Sequence, residues 1–413
     1  MDNMTDYIAW LGDISFDVRP LCEADAMILC AISYYDLSPA MDSDGAPFLF
    51  KDALTNIESG DLQIRITGGE QGLTEVLRSA AASKRFGELK ISNYVDRFEP
   101  DKDLQFAAVT FSYKDRFSFI AYRGTDNTLV GWKEDFMIAY TRTEAQKLAL
   151  DYARQLIKEP VASPQGFSSR MKEFFRRKSG ADAAQTGNAA GIPGSAAPAG
   201  HRWYIGGHSK GANLALFAAC QLSDAQLQQV EHIYILDGPG FAPEVMDTSL
   251  QSRIDSKATR IIPEYSVVGR LMEPQITDTR IVRSSNDGAM QHAIGSWGIY
   301  HGGLALAEDQ TPKDRWINET LRKWIDNMPY EGRRTFVNEL FDALGAGGAS
   351  TLDDLASGGR DGLEAVFKSV RNFSGSTREI LSDLRDAAVS ELKESAIEGA
   401  RKTIFRAAGQ RSE

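Results

Sequence analysis

Hydrophobic and polar positions along this chain alternate between the two-residue spacing of strands and the 3.6-residue spacing of helices. Helical spacing predicts helices at 24–35, 71–86 and 144–159. Alternating or short continuous apolar runs predict strands at 62–67, 106–113, 116–123, 203–205, 231–236, 258–262 and 279–284. The second and third of these strands are separated by two residues, which predicts a hairpin. Strands that alternate with helices predict a mostly parallel sheet with helices on both faces.

One strand-to-helix junction carries a chemical motif. The apolar run 203–205 leads into Gly207, His208, Ser209, Lys210 and Gly211, and a compact apolar stretch suited to a buried helix follows. A G-x-S-x-G sequence in this context is typical of a nucleophile elbow, because the serine sits on a strained turn that only small neighbours permit. Ser209 is therefore the candidate nucleophile.

A serine nucleophile needs N–H donors for the oxygen that becomes negative during acyl transfer. In proteins with such an elbow, one donor comes from the loop after an early strand and the other from the residue after the nucleophile. The strand 116–123 runs into Gly124 and Thr125, so we expect the backbone N–H groups of Thr125 and Lys210 to form an oxyanion hole. The alternative is that this segment is only a polar turn.

The general base must come from a histidine that follows the nucleophile and the acid along the chain. His292 lies just after the last predicted strand, whereas His301 follows another apolar stretch and could lie on the surface. We expect His292 to be the base. His208, beside the serine, is expected to have a structural role.

Two carboxylates qualify as the acid that orients this base. Asp237 directly follows the strand 231–236, and Glu264 comes after the next strand. An acid in this role must be buried enough to hold the histidine tautomer, so both positions are suitable. We favour Asp237, since its other obvious purpose is only to cap the following turn.

Composition limits the classes of function. The 413 residues carry a formal net charge of −11, which argues against nucleic acid as a partner. No apolar run approaches the roughly 18 residues of a membrane span, and the acidic N-terminus does not resemble a signal peptide. The three cysteines all lie in apolar segments, as expected for free thiols in a reducing compartment. We therefore expect a cytoplasmic protein, and the predicted chemistry requires neither a metal nor an organic cofactor.

The pattern predicts a main domain at 1–330, with a low-complexity insertion at about 160–200, and a helical C-terminal extension at 331–413. The basic segment 167–178 is either a solvated insertion, a flap over the site or an interfacial helix. Ser376 and Glu379 form a capping box before an amphipathic C-terminal helix. Either this helix or the basic segment is a candidate for peripheral membrane contact.

Four segments carry a resemblance to a known family: YRGTD (122–126), GGHSKGANLA (206–215), LDGPGF (236–241) and QHAIGSW (291–297). Together they resemble the Mbeg1-like family, a branch of the α/β hydrolases. The N-terminal segments 5–16 and 23–38 are similar to the start of that family. The resemblance covers about residues 5–325 and leaves out 160–200 and the C-terminal helices, and it implies an α/β-hydrolase fold.

A more distant resemblance links the chain to class 3 lipases through Arg123, Gly124 and Thr125, followed by Trp132. By this resemblance, Ser209 is the nucleophile, His292 the base and Thr125 an oxyanion donor. Class 3 lipases carry their acid where this chain has Ser266, which leaves Asp237 or Glu264.

The family resemblance implies a lipase-like or esterase-like serine hydrolase acting on a small-molecule or lipid ester. Two other functions remain open. The chain could be a non-catalytic hydrolase scaffold that binds a partner, or an acyltransferase in which an alcohol replaces water.

Overall fold

The protein is described by a computed structural model. It describes residues 2–41, 46–64, 72–125, 141–159, 200–266 and 268–307, together with isolated residues between 133 and 375.

A central sheet organises the described part of the chain. Its strands and those of a small second sheet are β1 Phe48–Leu49, β2 Lys90–Glu99, β3 Leu104–Tyr113, β4 Phe117–Tyr122, β5 Arg202–His208, β6 Val230–Leu236, β7 Ala258–Pro263, β8 Thr279–Val282, β9 Ile299–Tyr300, β10 Gly303–Leu304 and β11 Leu306–Ala307. Among the described residues, the central sheet has nine strands in the order β1-β2-β3-β4-β5-β6-β7-β8-β11. Strands β4 to β8 are parallel, β1 to β4 are antiparallel, and β11 is antiparallel to β8. Strands β9 and β10 form an antiparallel pair of their own.

Helices cover both faces of this sheet. The α-helices are α1 Met4–Leu11, α2 Glu23–Ile32, α3 Leu54–Ser59, α4 Leu73–Ala82, α5 Lys84–Gly87, α6 Glu144–Leu156, α7 Lys210–Gln221 and α8 Asp224–Leu227. Short 3₁₀ helices occur at Ser38–Ala40, Phe50–Ala53, Pro100–Lys102, Thr248–Arg253, Asp255–Lys257, Val268–Arg270, Gly288–His292 and Ile294–Ser296. A parallel sheet needs crossover connections that pass over its faces, and α7 is the crossover from β5 to β6.

The sheet separates two hydrophobic cores, and strand β4 shows why. Successive side chains of a strand point to opposite faces. Phe117, Phe119 and Ala121 pack in the core with α1, α2 and α4, whereas Ile120 and Tyr122 pack in the core with α6 and α7. A mostly parallel sheet with helices on both faces is the predicted α/β-hydrolase fold.

The hairpin expected from the sequence is confirmed, since β3 and β4 pair with Tyr113 opposite Phe117. One strand was missed, and one predicted helix differs from the structure. Strand β2 was not predicted, because its outer half is only partly buried and its pairing with β3 shifts register between Ser92 and Val95. The single helix expected at 71–86 is two helices, because Ser83 adopts an extended backbone and its side chain caps α5 by accepting a hydrogen bond from the N–H of Phe86.

Several predictions fall on residues outside the described ranges. These are residues 65–67, the insertion at 160–200 with its basic segment 167–178, and nearly all of the extension at 331–413. The described residues 62–64 do not form the strand predicted at 62–67, and only Ile64 makes an isolated bridge, with Tyr35. Within the described residues, no helix combines the length and the apolar content that a membrane crossing requires.

A buried ion pair ties the N-terminal helices together on one face of the sheet. Arg85 donates to both carboxylate oxygens of Asp25, at 2.8 and 2.6 Å, and both side chains are fully buried. The carboxylate also accepts hydrogen bonds from the hydroxyl of Tyr7 and the backbone N–H of Cys22. These additional donors offset the cost of removing the charges from water.

Substituting Asp25→Asn should destabilise the protein by about 3–5 kcal/mol, because it leaves the Arg85 guanidinium buried without a counter-charge. The free energy of unfolding, measured by urea denaturation, checks this expectation. The matched control is Glu75→Gln, which removes one partner of the exposed pair with Arg78 and should cost at most about 0.5 kcal/mol. Equal losses for the two variants would contradict the argument.

Candidate active site

Ser209 lies on the sharp turn between β5 and α7. Its backbone has φ 58° and ψ −127°, a conformation that costs energy for any residue with a side chain. The turn is held by a hydrogen bond of 2.9 Å from the N–H of Ser209 to the carbonyl of Leu236, the last residue of β6. The strained serine of the predicted elbow is therefore present at the carboxyl end of the parallel strands.

Close backbone packing explains the glycines on either side of Ser209. A Cβ atom added to Gly207 would lie under 3.0 Å from backbone atoms of Gly211 and Ala212. A Cβ on Gly211 would meet the backbone of Tyr122, at the end of β4. Helix α7 can begin directly above β4 and β5 only because these two positions lack side chains.

The structure brings Ser209, His292 and Asp237 into one hydrogen-bonded line. The Nε2 atom of His292 lies 2.9 Å from Oγ of Ser209, and Nδ1 lies 2.6 Å from Oδ2 of Asp237. A carboxylate only accepts hydrogen bonds, so the proton sits on Nδ1 and the lone pair of Nε2 faces the serine hydroxyl. This tautomer is the one that can take a proton from Ser209.

Asp237 is buried and strongly anchored beneath His292. Its backbone, at φ 43°, leaves β6 in the left-handed region, and its N–H donates to the carbonyl of Ile261 at 2.8 Å. Oδ1 accepts hydrogen bonds from the hydroxyl of Ser266 and from the N–H of Gly269. Burial raises the pKa of Asp237. Two groups outweigh this effect and hold the pKa below its ordinary value: His292, through its hydrogen bond and its charge, and Ser266, through its hydrogen bond. The group is thus held as a carboxylate.

The turn after Asp237 is fixed from the side of α7. The amide of Asn213 donates to the carbonyls of Pro239 and Gly240, both at 3.0 Å, and its oxygen accepts from the side chain of Gln146. A Cβ on Gly238 would lie 2.6 Å from the carbonyl oxygen of Ser209. The turns that carry Ser209 and Asp237 are therefore packed directly against each other.

Glu264 lies outside this hydrogen-bonded line. Its side chain is half-buried at the end of β7, and Nδ1 of His292 is already occupied by Asp237. The neighbouring N–H of Tyr265 donates to the side chain of Gln291. His301 is exposed and stacks on Tyr300, with ring centroids 3.9 Å apart.

The two residues predicted to hold an oxyanion both lie at the elbow. Thr125 is 8% exposed, and a Cβ on the preceding Gly124 would lie 2.6 Å from the carbonyl oxygen of His208. Lys210 is the first residue of α7 and directly follows Ser209. Its side chain is buried and donates to the carbonyl of Gln105 at 2.9 Å.

Sequence reasoning missed two supporting side chains. Ser266, noted only as a departure from the class 3 lipases, donates to Asp237. Tyr34 lies two residues after α2, and its hydroxyl is 2.9 Å from Nδ1 of His208. No local motif signals either contact, because the partners are distant along the chain.

Among the described residues, no group of three or more His, Cys, Asp or Glu side chains is placed to hold a metal ion.

Substituting Gly207→Ala should destabilise the protein by about 1–3 kcal/mol, because the added methyl meets rigid backbone of α7 rather than a mobile side chain. Gly303→Ala is the control, since the nearest atom to its added Cβ is 3.8 Å away. Urea denaturation of both variants measures the difference. An unchanged stability for Gly207→Ala would show that the turn can open without cost.

Comparisons with known proteins identify the family of this chain. The model of the Mbeg1-like family matches residues 80–163 and 194–342. No curated protein matches the sequence. Similar solved structures include "Crystal structure of M37 lipase", at 17% identity over 60% of this chain and 70% of that one with a TM-score of 0.30. A second is "Rhizomucor miehei lipase propeptide complex, native", at 13% identity over 68% of this chain and 79% of that one with a TM-score of 0.31. Because the family model matches more than half of the chain, the protein belongs to the Mbeg1-like family.

Proposed function

We propose that this protein is a serine hydrolase that cleaves a small-molecule or lipid ester through an acyl-enzyme. The proposal rests on two hydrogen bonds of His292. Its Nε2 atom contacts Oγ of Ser209, and its Nδ1 atom contacts Oδ2 of Asp237. A nucleophile, a base within hydrogen-bond reach and a group that orients the base are the parts that nucleophilic catalysis requires.

In the first half of the proposed reaction, His292 accepts the proton of Ser209 as Oγ attacks the ester carbonyl. The carbonyl oxygen becomes negative, and the N–H groups of Thr125 and Lys210 stabilise it. His292 then gives the proton to the leaving alcohol oxygen as the ester bond breaks. The acyl group remains on Ser209.

In the second half, His292 removes a proton from water, and the resulting hydroxide attacks the acyl carbon. The bond to Ser209 breaks, the proton returns to Oγ, and the acid is released. Asp237 keeps the Nδ1 proton in place and stabilises the positive charge that His292 carries during each transfer. Its burial and its hydrogen bonds from Ser266 and Gly269 suit this role.

The scaffold alternative depended on the lack of an acid at the Ser266 position. The contact between Ser266 and Asp237 favours the enzyme, because a serine at this position can support an acid supplied by the neighbouring strand.

Wild-type protein treated with a fluorophosphonate should gain one adduct by intact mass, and Ser209→Ala should gain none, since only an activated serine reacts readily. Ser118→Ala is the matched control. Ser118 is buried and hydrogen-bonded to Ser112 and His201, away from the elbow, so this variant should still be labelled. A wild type that stays unlabelled under conditions that modify a known serine hydrolase would overturn the proposal.

Substituting Asp237→Asn should lower kcat for a chromogenic acyl ester by about 10⁴-fold, because the amide no longer holds His292 in the required tautomer. Glu264→Gln should leave kcat nearly unchanged, because Glu264 lies outside the hydrogen-bonded line. Thermal unfolding of both variants checks that each is folded. A large loss confined to Glu264→Gln would reverse the assignment.

An added alcohol acceptor shows in the same assay whether acyl groups are transferred instead of hydrolysed.

A further inference from the structure

His208, the residue before the nucleophile, connects two parts of the site. Its ring is buried, with Nε2 lying 2.8 Å from the backbone carbonyl of His292 and Nδ1 lying 2.9 Å from the hydroxyl of Tyr34. The ring centroids of His208 and His292 are 4.7 Å apart. His208 thus contacts the loop of the base without facing Ser209.

The direction of each hydrogen bond follows from its partner. A backbone carbonyl only accepts, so Nε2 of His208 carries a proton and donates a hydrogen bond to the carbonyl oxygen of His292. Burial, and secondarily the nearby His292, lower the pKa of His208 to about 3, so the ring is neutral near neutral pH. Nδ1 therefore has no proton and accepts the hydrogen bond from Tyr34.

Other contacts hold the same loop on either side of the His292 carbonyl. The indole N–H of Trp297 donates to the carbonyl of Gln291 at 2.9 Å, and the side chain of Gln291 accepts from the N–H of Tyr265. Trp297 also meets the His208 ring edge-on, with centroids 5.7 Å apart. His208 is the side chain that donates to the carbonyl oxygen of His292, and the N–H of Ala293 in the same peptide group donates to the carbonyl of Met290 at 3.1 Å.

We propose that His208 is a positioning residue that holds the backbone of His292 so that its ring spans Ser209 and Asp237, and that Tyr34 fixes the His208 tautomer that can do so. This inference rests on the proposed function, since it assigns His292 as the base. Tyr34 precedes the residues that match the family model. The N-terminal segment therefore contributes directly to the order of the site.

Three substitutions separate positioning from other roles. His208→Leu removes the donor, whereas His208→Gln keeps an N–H at the same number of bonds from the backbone. Tyr34→Phe removes only the hydroxyl that selects the tautomer. His232→Gln is the control, because this half-buried histidine bonds Thr259 on the sheet, away from the site. Each protein is assayed for kcat and KM on a soluble chromogenic ester, for fluorophosphonate labelling rate and for thermal unfolding.

His208→Leu should lower kcat and the labelling rate about tenfold, with little change in KM, because the base is misplaced while substrate binding is not. His208→Gln should recover most of the loss in kcat and labelling rate. Tyr34→Phe should show a smaller loss than His208→Leu, because the Nε2 donor of His208 remains. His232→Gln should behave as wild type. If His208→Leu does not fold, the kcat and labelling rate of Tyr34→Phe and His208→Gln still test the inference.

Two results would overturn the inference. One is a labelling rate and a kcat that do not change in His208→Leu and Tyr34→Phe. The other is a His208→Gln variant as inactive as His208→Leu, which would show that an N–H donor at this position does not restore the site. Failure of the proposed function is distinct, because there wild-type protein itself would not be labelled at Ser209.

Discussion

The hydrogen bond between the buried carboxylate of Asp237 and Nδ1 of His292 is the contact on which the rest of the site depends. A charge in the interior is costly unless other groups satisfy it. Here His292, Ser266 and Gly269 all donate to the same carboxylate. Burial raises its pKa, but the interactions with His292 and Ser266 outweigh burial and keep the pKa below its ordinary value. Ser266 and Gly269 of the segment after β7 thus stabilise the carboxylate that follows β6.

Backbone packing at the elbow sets the geometry that this contact needs. Ser209 adopts a strained φ of 58°, and the close approaches at Gly207, Gly211 and Gly238 leave the turn no room to relax. Strain of this kind persists only when surrounding structure determines it fully. The turn after Asp237 is held by Asn213 of α7, so the helix that starts after Ser209 also orders the backbone that follows Asp237.

The N-terminal helices contribute more than a cover for the sheet. The fully buried pair of Asp25 and Arg85 joins them, and Tyr34, two residues after α2, reaches His208 at the elbow. A contact between the first 41 residues and the centre of the site couples the stability of this layer to the order of the catalytic groups that we propose.

Hydrophobic periodicity determined the fold class, because strand and helix periods are local properties of the sequence. Ser209 could be found in the same way, since a tight turn between an apolar strand and a buried helix has a local signature. The unpredicted strand β2 shows the limit, because its outer half is only partly buried and its pairing with β3 shifts register.

Only the tertiary structure decided which carboxylate meets His292. Asp237 and Glu264 both follow strands, and the sequence left both open. The difference lies in a hydrogen bond between residues 55 positions apart, together with the support from Ser266 that makes the burial of Asp237 tolerable. The contact of Tyr34 with His208 spans 174 positions. Such contacts depend on how strands and loops pack in space, and no local sequence pattern predicts which distant residues meet.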